Sequence, residues 1–454
     1  MHVPKSPRYI AIDILCRWEE SRLPIDQLME RYIVDSGLAD IRDRQLIKSM
    51  VYGVLRWRGY LDWVIGILSK HPLGKMKNLT IQALRVGIFQ LVFLDRVPPS
   101  AAVNETVQAF KDMKQPKWLS GFVNGVLRSV ERQRPNIQTP FFNSQALPET
   151  ALLSHPEWLV KRWKSRFGDA ETAAICKKNN REPDLCLRVN TALTDRDILL
   201  NKLKAAGLAA EPGLYSPTAV KLKDYRGSVA NIPGFEQGLF QVQDEAAQLV
   251  SMLLGPLQKE SFYLDGCAGL GGKTSHLAQM LPPESRLIAV EPNAGRVKKL
   301  KENLGRLRLD SAVTIVEDTV DSLLPDMQEK FSGILIDAPC SGLGVIRHHP
   351  DIRWNRTPDN LRRYQEIQSG ILASAARLLV PGGTLVYATC STEPEENDEV
   401  IQKFLAENPG FLLANASDSL PEKCLHWVDR NGYFRTIPGR EGLDGFFGAR
   451  LIKM

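Results

Sequence analysis

The chain lacks the features that would remove it from ordinary globular proteins. No stretch approaches the roughly 18 uncharged apolar residues of a membrane span, which excludes a helical membrane protein. Its cysteines number only seven, an odd count with no Cys-x-x-Cys pair, which argues against a disulfide framework and a zinc site. The opening "MHVPKSPRYIAIDILCRWEE" meets charge within a few residues of its apolar stretch, so it lacks the core of a secretory signal. Internal repeats and low-complexity tracts are missing too. These absences leave a soluble, cytoplasmic protein as the expectation. At 454 residues it is too long for one ordinary core, and two or three domains are expected.

The net charge is small, +6, but its placement is uneven. Residues 1–140 carry 21 Lys and Arg against 13 Asp and Glu, a balance of +8, so the other 314 residues sum to −2. A basic excess confined to one segment points to a polyanion such as nucleic acid. That segment is helical in pattern. Ile10, Ile14 and Trp18 share a helical face, "DRQLIKSMVYGVLRWRGYLDWVIGILSK" reads as one broad apolar face, and Pro-Pro-Ser at 98–100 is a helix-start signal. An all-α domain over 1–138 is expected. A proline-containing linker at 135–150 leads into a small α+β module within 139–232: the basic helix "HPEWLVKRWKSRFG", the strand "LCLRVNT", the helix "DRDILLNKLKAAG" and the strand "AVKLKD". Over 233–454 apolar strands alternate with helices, the form of a doubly wound, Rossmann-like parallel α/β sheet whose ligands sit beyond the strands' carboxyl ends.

The turn "DGCAGLGGKTSH" at 265–276 ends in Gly-Lys-Thr, as a phosphate-binding loop does. Such a loop needs glycine five positions before Gly272-Lys273, and Cys267 stands there. The strand "ILID" ending at Asp337 keeps an ATPase as a weak alternative. Read instead as strand–Gly269-Leu270-Gly271–helix, the turn lets backbone approach a ligand. Glu291 ends a strand about twenty residues on, where a carboxylate can accept both hydroxyls of a ribose. Asp318 and Asp337 end the next two strands. A pocket lined by acids suits a nucleoside bearing a positive sulfonium better than a triphosphate, which points to S-adenosylmethionine.

Two cysteines directly follow apolar strands: Cys340 in "DAPCSG" and Cys390 in "YATCST". Backbone N–H groups in such turns can stabilise a thiolate. Cys16, Cys176 and Cys186 read as inert core residues. Methylating cytosine at C5 requires a thiolate to add at C6, a carboxyl partner near N3 and a methyl donor in one pocket, and the sequence has candidates for each. Between the cysteines, "GVIRHHPDIRW" supplies Arg347, His348, His349, Arg353 and Trp354, cations with an aromatic able to stack on an exposed base. The His348–His349 pair lacks the accompanying acid–His spacing of a metal site, so no metal is expected.

"DAPCSGLGVIRHHPDIRW", "GGTLVYATCSTEPEEN" and "DGFFGARLIK" resemble the RsmB (Sun/Fmu) family of bacterial 16S ribosomal RNA cytosine-5 methyltransferases. "LRVGIFQLVFLDRVPPSAAVNETVQAFKDM" and "GFVNGVLRSV" resemble the NusB-type RNA-binding helical domain found at the amino end of such proteins. The resemblance covers essentially the whole chain. It implies Cys390 as nucleophile, Cys340 as the residue assisting release, and Asp337 as the carboxyl partner. It implies cofactor contacts from Cys267, Ala268, Gly269, Leu270, Gly271, Gly272 and Lys273, then Glu291, Asp318 and Asp337. It also implies 16S ribosomal RNA, naked or in an early particle, as partner; the expected RNA contacts, from the cation and aromatic pattern alone, are Arg347, His348, Arg353 and Trp354, and a monomer is expected. Two departures stand out. Leu270 replaces the usual proline, which predicts a looser turn and lower cofactor affinity; Glu291 replaces the usual aspartate. Neither removes a reactive group.

Overall fold

A computed structural model describes residues 5–35, 40–133 and 147–454. They fall into two compact units, Met1–Glu182 with Ile346–Asn355, and Pro183–Val345 with Arg356–Met454. Most of the expected linker, 135–146, lies outside the described residues.

The first unit is helical. Pro7–Ser21 is capped by Ser6, whose hydroxyl accepts from the Tyr9 N–H, and it buries Ile10, Ile14 and Trp18 as their spacing predicts. Asn78–Phe93 is buried nearly all round from Gln82 to Leu91, which makes it the axis of the unit. Its buried Gln90 accepts from Arg8 and donates to the Val86 carbonyl and the Thr106 hydroxyl. The stretch expected as one face from 43 to 70 is two helices, Ile41–Arg56 and Arg58–Leu68. The break falls at Trp57, with φ −107° and ψ 19°. Its ring lies stacked 5.3 Å from Phe93, so packing ends the helix where no glycine or proline does. The basic stretch from Glu157 continues to Asn179 but bends at Gly168, where φ is 79°.

The second unit holds two sheets. The smaller contains β1 (Leu185–Val189), β2 (Ala210–Pro212), β3 (Ala219–Leu222) and β4 (Phe240–Val242) in the antiparallel order β2-β3-β1-β4. The helix Arg196–Ala205, capped by Asp195, buries Leu199, Leu200 and Leu203 against Leu187, Val189, Val220 and Phe240. β4 lies beyond the expected boundary at 232. Three residues are too few for alternation to register, so sequence reading passed over both β2 and β4.

The larger sheet contains β5 (Phe262–Asp265), β6 (Arg286–Val290), β7 (Val313–Val316), β8 (Phe331–Asp337), β9 (Leu379–Thr389), β10 (Phe411–Ala414), β11 (Phe434–Arg435) and β12 (Phe447–Lys453). Its order is β10-β12-β9-β8-β5-β6-β7, with β11 paired to β12. The run β9-β8-β5-β6-β7 is parallel, as expected. The sheet is mixed, however, because β12 runs antiparallel between β9 and β10. From β5 the chain proceeds to β6 and β7 on one side, while β8 lies on the other. A crevice therefore opens beyond the carboxyl ends of β5 and β8, where ligands of such sheets bind.

Candidate active site

The buried strand β5 delivers Asp265 to this crevice, and the glycine turn leads into the helix Gly272–Met280. Gly269 and Gly271 both adopt left-handed backbone, with φ 57° and 86°. Their surroundings differ. A Cβ on Gly271 would meet Leu300 Cδ1 at 2.5 Å, whereas one on Gly269 would meet nothing within 4 Å. Gly269 thus borders open space, a cradle that a ligand could fill. Leu270 is exposed, and its carbonyl accepts from Asn303 Nδ2 at 2.9 Å. The next helix therefore fastens the turn at Leu270.

Glu291, buried after β6, accepts the Gly269 N–H at 3.1 Å through Oε2 and the Asn293 N–H at 2.9 Å through Oε1. Its carboxylate first holds the turn, and each oxygen keeps a further lone pair for a ligand hydroxyl. Asp318, two residues beyond β7, is exposed and accepts from the Thr319 N–H at 2.7 Å. Asp337 ends β8 and accepts from Lys273 Nζ at 2.7 Å. Burial works against the Lys273 charge. The Asp337 carboxylate and its hydrogen bond, then Cys390, outweigh that cost and hold the ammonium's pKa above its ordinary value. Asp265 is fully buried and accepts from Thr274 Oγ1 at 2.7 Å and the Cys267 N–H at 3.3 Å. Burial pushes its pKa up to about 6 against the pull of the Thr274 bond, and the charge of Asp337 adds to the rise. Burial, then the field of Asp265, Asp337 and Glu291, raises the Cys267 thiol well above its ordinary range, so that cysteine is an inert neighbour.

Asp337 and Ala388 are register partners on β8 and β9, so the turns carrying the two cysteines leave adjacent strands. They bring Cys340 Sγ and Cys390 Sγ to 3.2 Å, both half-buried. Hydrogen bonding to Cys390, then burial, raises the Cys340 pKa well above its usual value. The Cys390 carbonyl accepts from Gly344 N–H at 2.9 Å, and the Gly344 carbonyl from Gly445 N–H at 2.8 Å. A Cβ on Gly344 would stand 2.0 Å from the Gly445 oxygen, so three loops meet there with no room for a side chain.

The residues expected at RNA divide differently. Arg353 is fully buried in the helical unit and donates to the Ser154 and Asn179 carbonyls and to Asn180 Oδ1, at 3.1, 3.0 and 2.6 Å. It has no surface to offer a phosphate. Trp354 is half-buried, donates from Nε1 to the Leu55 carbonyl at 2.7 Å, and is covered by the Arg58 guanidinium 5.1 Å from its ring. Both side chains hold Ile346–Asn355 in the first unit. Arg347 is buried and its carbonyl accepts from Arg56 at 2.7 Å. His348 is half-buried, with its ring 6.5 Å from that of His349.

Sequence reading missed two side chains. Arg188 on β1 is fully buried and reaches the Gly272 carbonyl and the Ser275 hydroxyl, both at 2.6 Å, and also Gln243. Burial lowers its pKa to about 9. A lone arginine within the apolar strand "LCLRV" was its only signal. Glu396 lies buried beneath the two cysteine turns, and nothing distinguished it from the neighbouring acids of "STEPEEN".

Comparisons with known proteins agree with this arrangement. Residues 251–452 match the model of the 16S rRNA methyltransferase RsmB/F family. Residues 5–132 match the NusB family, and 155–228 an RsmF/B-like ferredoxin-like domain. The probable ribosomal RNA small subunit methyltransferase B of Bacillus subtilis (strain 168) is 37% identical over 456 residues, covering 99% of both chains. The chain belongs to the ribosomal RNA small subunit methyltransferase B family. The member from Salmonella paratyphi B is 37% identical over 415 residues, 91% of each chain. The crystal structure of PH0851 superposes over 100% of both chains with TM-score 0.79 at 25% identity. That of NSun6 from Pyrococcus horikoshii with SFG shares the fold over 66% of this chain and 98% of its own, with TM-score 0.57 at 24% identity. The protein is thus a ribosomal RNA methyltransferase, with S-adenosylmethionine as its methyl donor. Among the described residues no helix is long and apolar enough to cross a membrane.

Proposed function

We propose that this enzyme methylates a cytosine of 16S ribosomal RNA at C5, through addition of the Cys390 sulfur to C6. The observation that carries the reading is the approach of Cys340 and Cys390 to 3.2 Å at the ends of two parallel strands, beside the glycine turn and the Lys273–Asp337 pair. When bound, S-adenosylmethionine supplies an electrophilic methyl group. The residues that would hold it are the turn Cys267–Lys273 with Glu291, Asp318 and Asp337. The open face at Gly269 and the excess of carboxylates suit a cationic nucleoside.

Cys390 adds to C6, and the C5=C6 electron pair becomes available at C5. Asp337 would be the carboxyl partner that accepts from the ring's exocyclic amino group, and the Lys273 ammonium bonded to it would be the donor for negative charge developing on the ring. Once C5 is substituted, its proton passes to a base, the C5=C6 bond re-forms, and the C6–S pair returns to Cys390. Cys340 is suited to assist that release. Its proton is held chiefly by the hydrogen bond to Cys390. As the C6–S bond breaks, the Cys340 S–H, 3.2 Å away, can give its proton to the departing Cys390 sulfur, and the base that took the C5 proton restores it. The basic helical unit would add phosphate contacts, so RNA affinity should fall with salt.

The test uses unmodified small-subunit ribosomal RNA and tritiated methyl donor. Cys390→Ala should transfer no methyl group, while Cys340→Ala should accumulate a protein–RNA adduct that survives denaturing electrophoresis. Nucleotide mapping should locate the product as 5-methylcytosine. Wild-type turnover by Cys390→Ala would overturn the assignment.

A further inference from the structure

The residue after each cysteine is serine, and both serines turn away from the crevice onto one carboxylate. Glu396 Oε1 accepts the Ser341 N–H at 2.7 Å, and Oε2 accepts the Ser341 and Ser391 hydroxyls, both at 2.5 Å. The two hydroxyls lie 3.2 Å apart. Ser341 and Glu396 are fully buried and Ser391 nearly so. Gln368, from the helix Pro358–Leu378, donates to the Pro339 carbonyl at 2.9 Å and to Glu396 at a longer 3.3 Å, tying the front of the Cys340 turn to the same point. Asn397 holds the other turn: its Nδ2 donates to the Ser391 carbonyl at 2.9 Å, and its Oδ1 accepts from Thr389 Oγ1 at 2.6 Å. The Tyr387 hydroxyl donates to the Glu396 carbonyl at 2.6 Å and fixes the backbone that carries the carboxylate.

We propose that Glu396 is a positioning residue of methyl transfer: by holding Ser341 and Ser391 together, its carboxylate sets the separation and aim of the Cys340 and Cys390 sulfurs. The inference rests on the covalent reading above. Among the described residues no lysine or arginine pairs with Glu396, so the fold buries a carboxylate with hydrogen-bond donors but no counter-charge, a choice that costs stability. Apolar packing would fill the same volume at lower cost. It could not join two polar turns, and a directional four-donor network can. Displacement of a reacting group by about 1 Å can slow a reaction by about a hundredfold, so loosening either arm should register in the chemistry.

The two arms can be cut separately. Ser391→Ala releases the nucleophile's turn and should slow adduct formation in a single turnover by about tenfold or more. Ser341→Ala releases the other turn and should slow turnover by a similar factor while adduct accumulates, because attack is spared and release is not. Glu396→Gln should show both defects. S-adenosylmethionine affinity should stay within about twofold in all three, since the glycine turn is untouched, whereas a general loss of structure would lower affinity and rates together. If the serine variants bind the cofactor normally and keep wild-type adduct formation and turnover, Glu396 does not position the cysteines. If Cys390→Ala turns over, the covalent reading itself fails. The two failures are therefore distinguishable.

Discussion

Gly269 and Gly271 share a left-handed backbone but differ in what surrounds them, and alanine at each should fail in a different way. Left-handed backbone costs an L-residue about 1–2 kcal/mol, a penalty common to both sites. At Gly271 the new Cβ would also stand 2.5 Å from Leu300 Cδ1. Leu300 is fully buried on the helix Ala294–Arg306, so it must leave its rotamer or push that helix. An off-rotamer side chain adds about 0.5–1.5 kcal/mol, bringing Gly271→Ala to about 1.5–3.5 kcal/mol. At Gly269 the Cβ enters open space, so stability falls by the backbone penalty alone. That space is where the cofactor would lie against the Gly269–Glu291 hydrogen bond. Gly269→Ala should therefore weaken S-adenosylmethionine binding by tenfold or more, about 1.4 kcal/mol. For a unit of this size the thermal midpoint moves about 2–4 °C per kcal/mol. Melting curves should thus place Gly271→Ala about 1–6 °C below Gly269→Ala, while titration calorimetry should rank their affinities in the opposite sense. Unchanged cofactor affinity in a folded Gly269→Ala variant would refute the placement of the cofactor.

Asp265 has its pKa raised by burial to about 6, above the ordinary 3.8. The folded state therefore holds this proton more tightly than the unfolded state. Its contribution is present below about pH 4 and is lost as pH rises through about 6, a change of order 3 kcal/mol. Asp265→Asn should flatten the fall in melting temperature between about pH 4 and 6, and parallel profiles for variant and wild type would refute the shift. Arg353→Met should cost about 3 kcal/mol by stranding carbonyls now served by the guanidinium. It should leave the dependence of RNA affinity on salt unchanged. A slope shallower by about one would mean that Arg353 contacts a phosphate after all.

What was legible in the sequence was whatever repeats along a strand or helix or ends one. The five parallel strands announced themselves by apolar runs, and each terminal residue (Asp265, Glu291, Asp337) stands at a strand end because the run stops there. The cysteine turns were legible for the same reason. The antiparallel edge was not: β10 has four residues, β11 and β12 follow irregular chain, and "DGFFGARLIK" offered only a motif. Arg353 and Trp354 were misread because cations beside an aromatic look alike whether they face nucleic acid or fill a helical core. Only tertiary burial separates the two. Glu396 was invisible because a carboxylate's meaning lies in its donors, and here those come from residues 341, 368 and 391.

The Gly-Lys-Thr run that first suggests a nucleotide loop shows how one local motif serves opposite ligands. In a phosphate loop the lysine reaches the phosphates and the hydroxyl meets the metal. In this protein Lys273 is bonded to Asp337 at 2.7 Å, and Thr274 donates to Asp265, also at 2.7 Å. Both groups that would welcome a triphosphate are thus taken by carboxylates on neighbouring strands. What the turn keeps is the close approach of its backbone at Gly269, bordered by Glu291. Neutralising the one cation leaves a negative field at a glycine cradle, which repels polyphosphate and favours a sulfonium. Two acids at strand ends, and not the glycines, therefore separate the two readings.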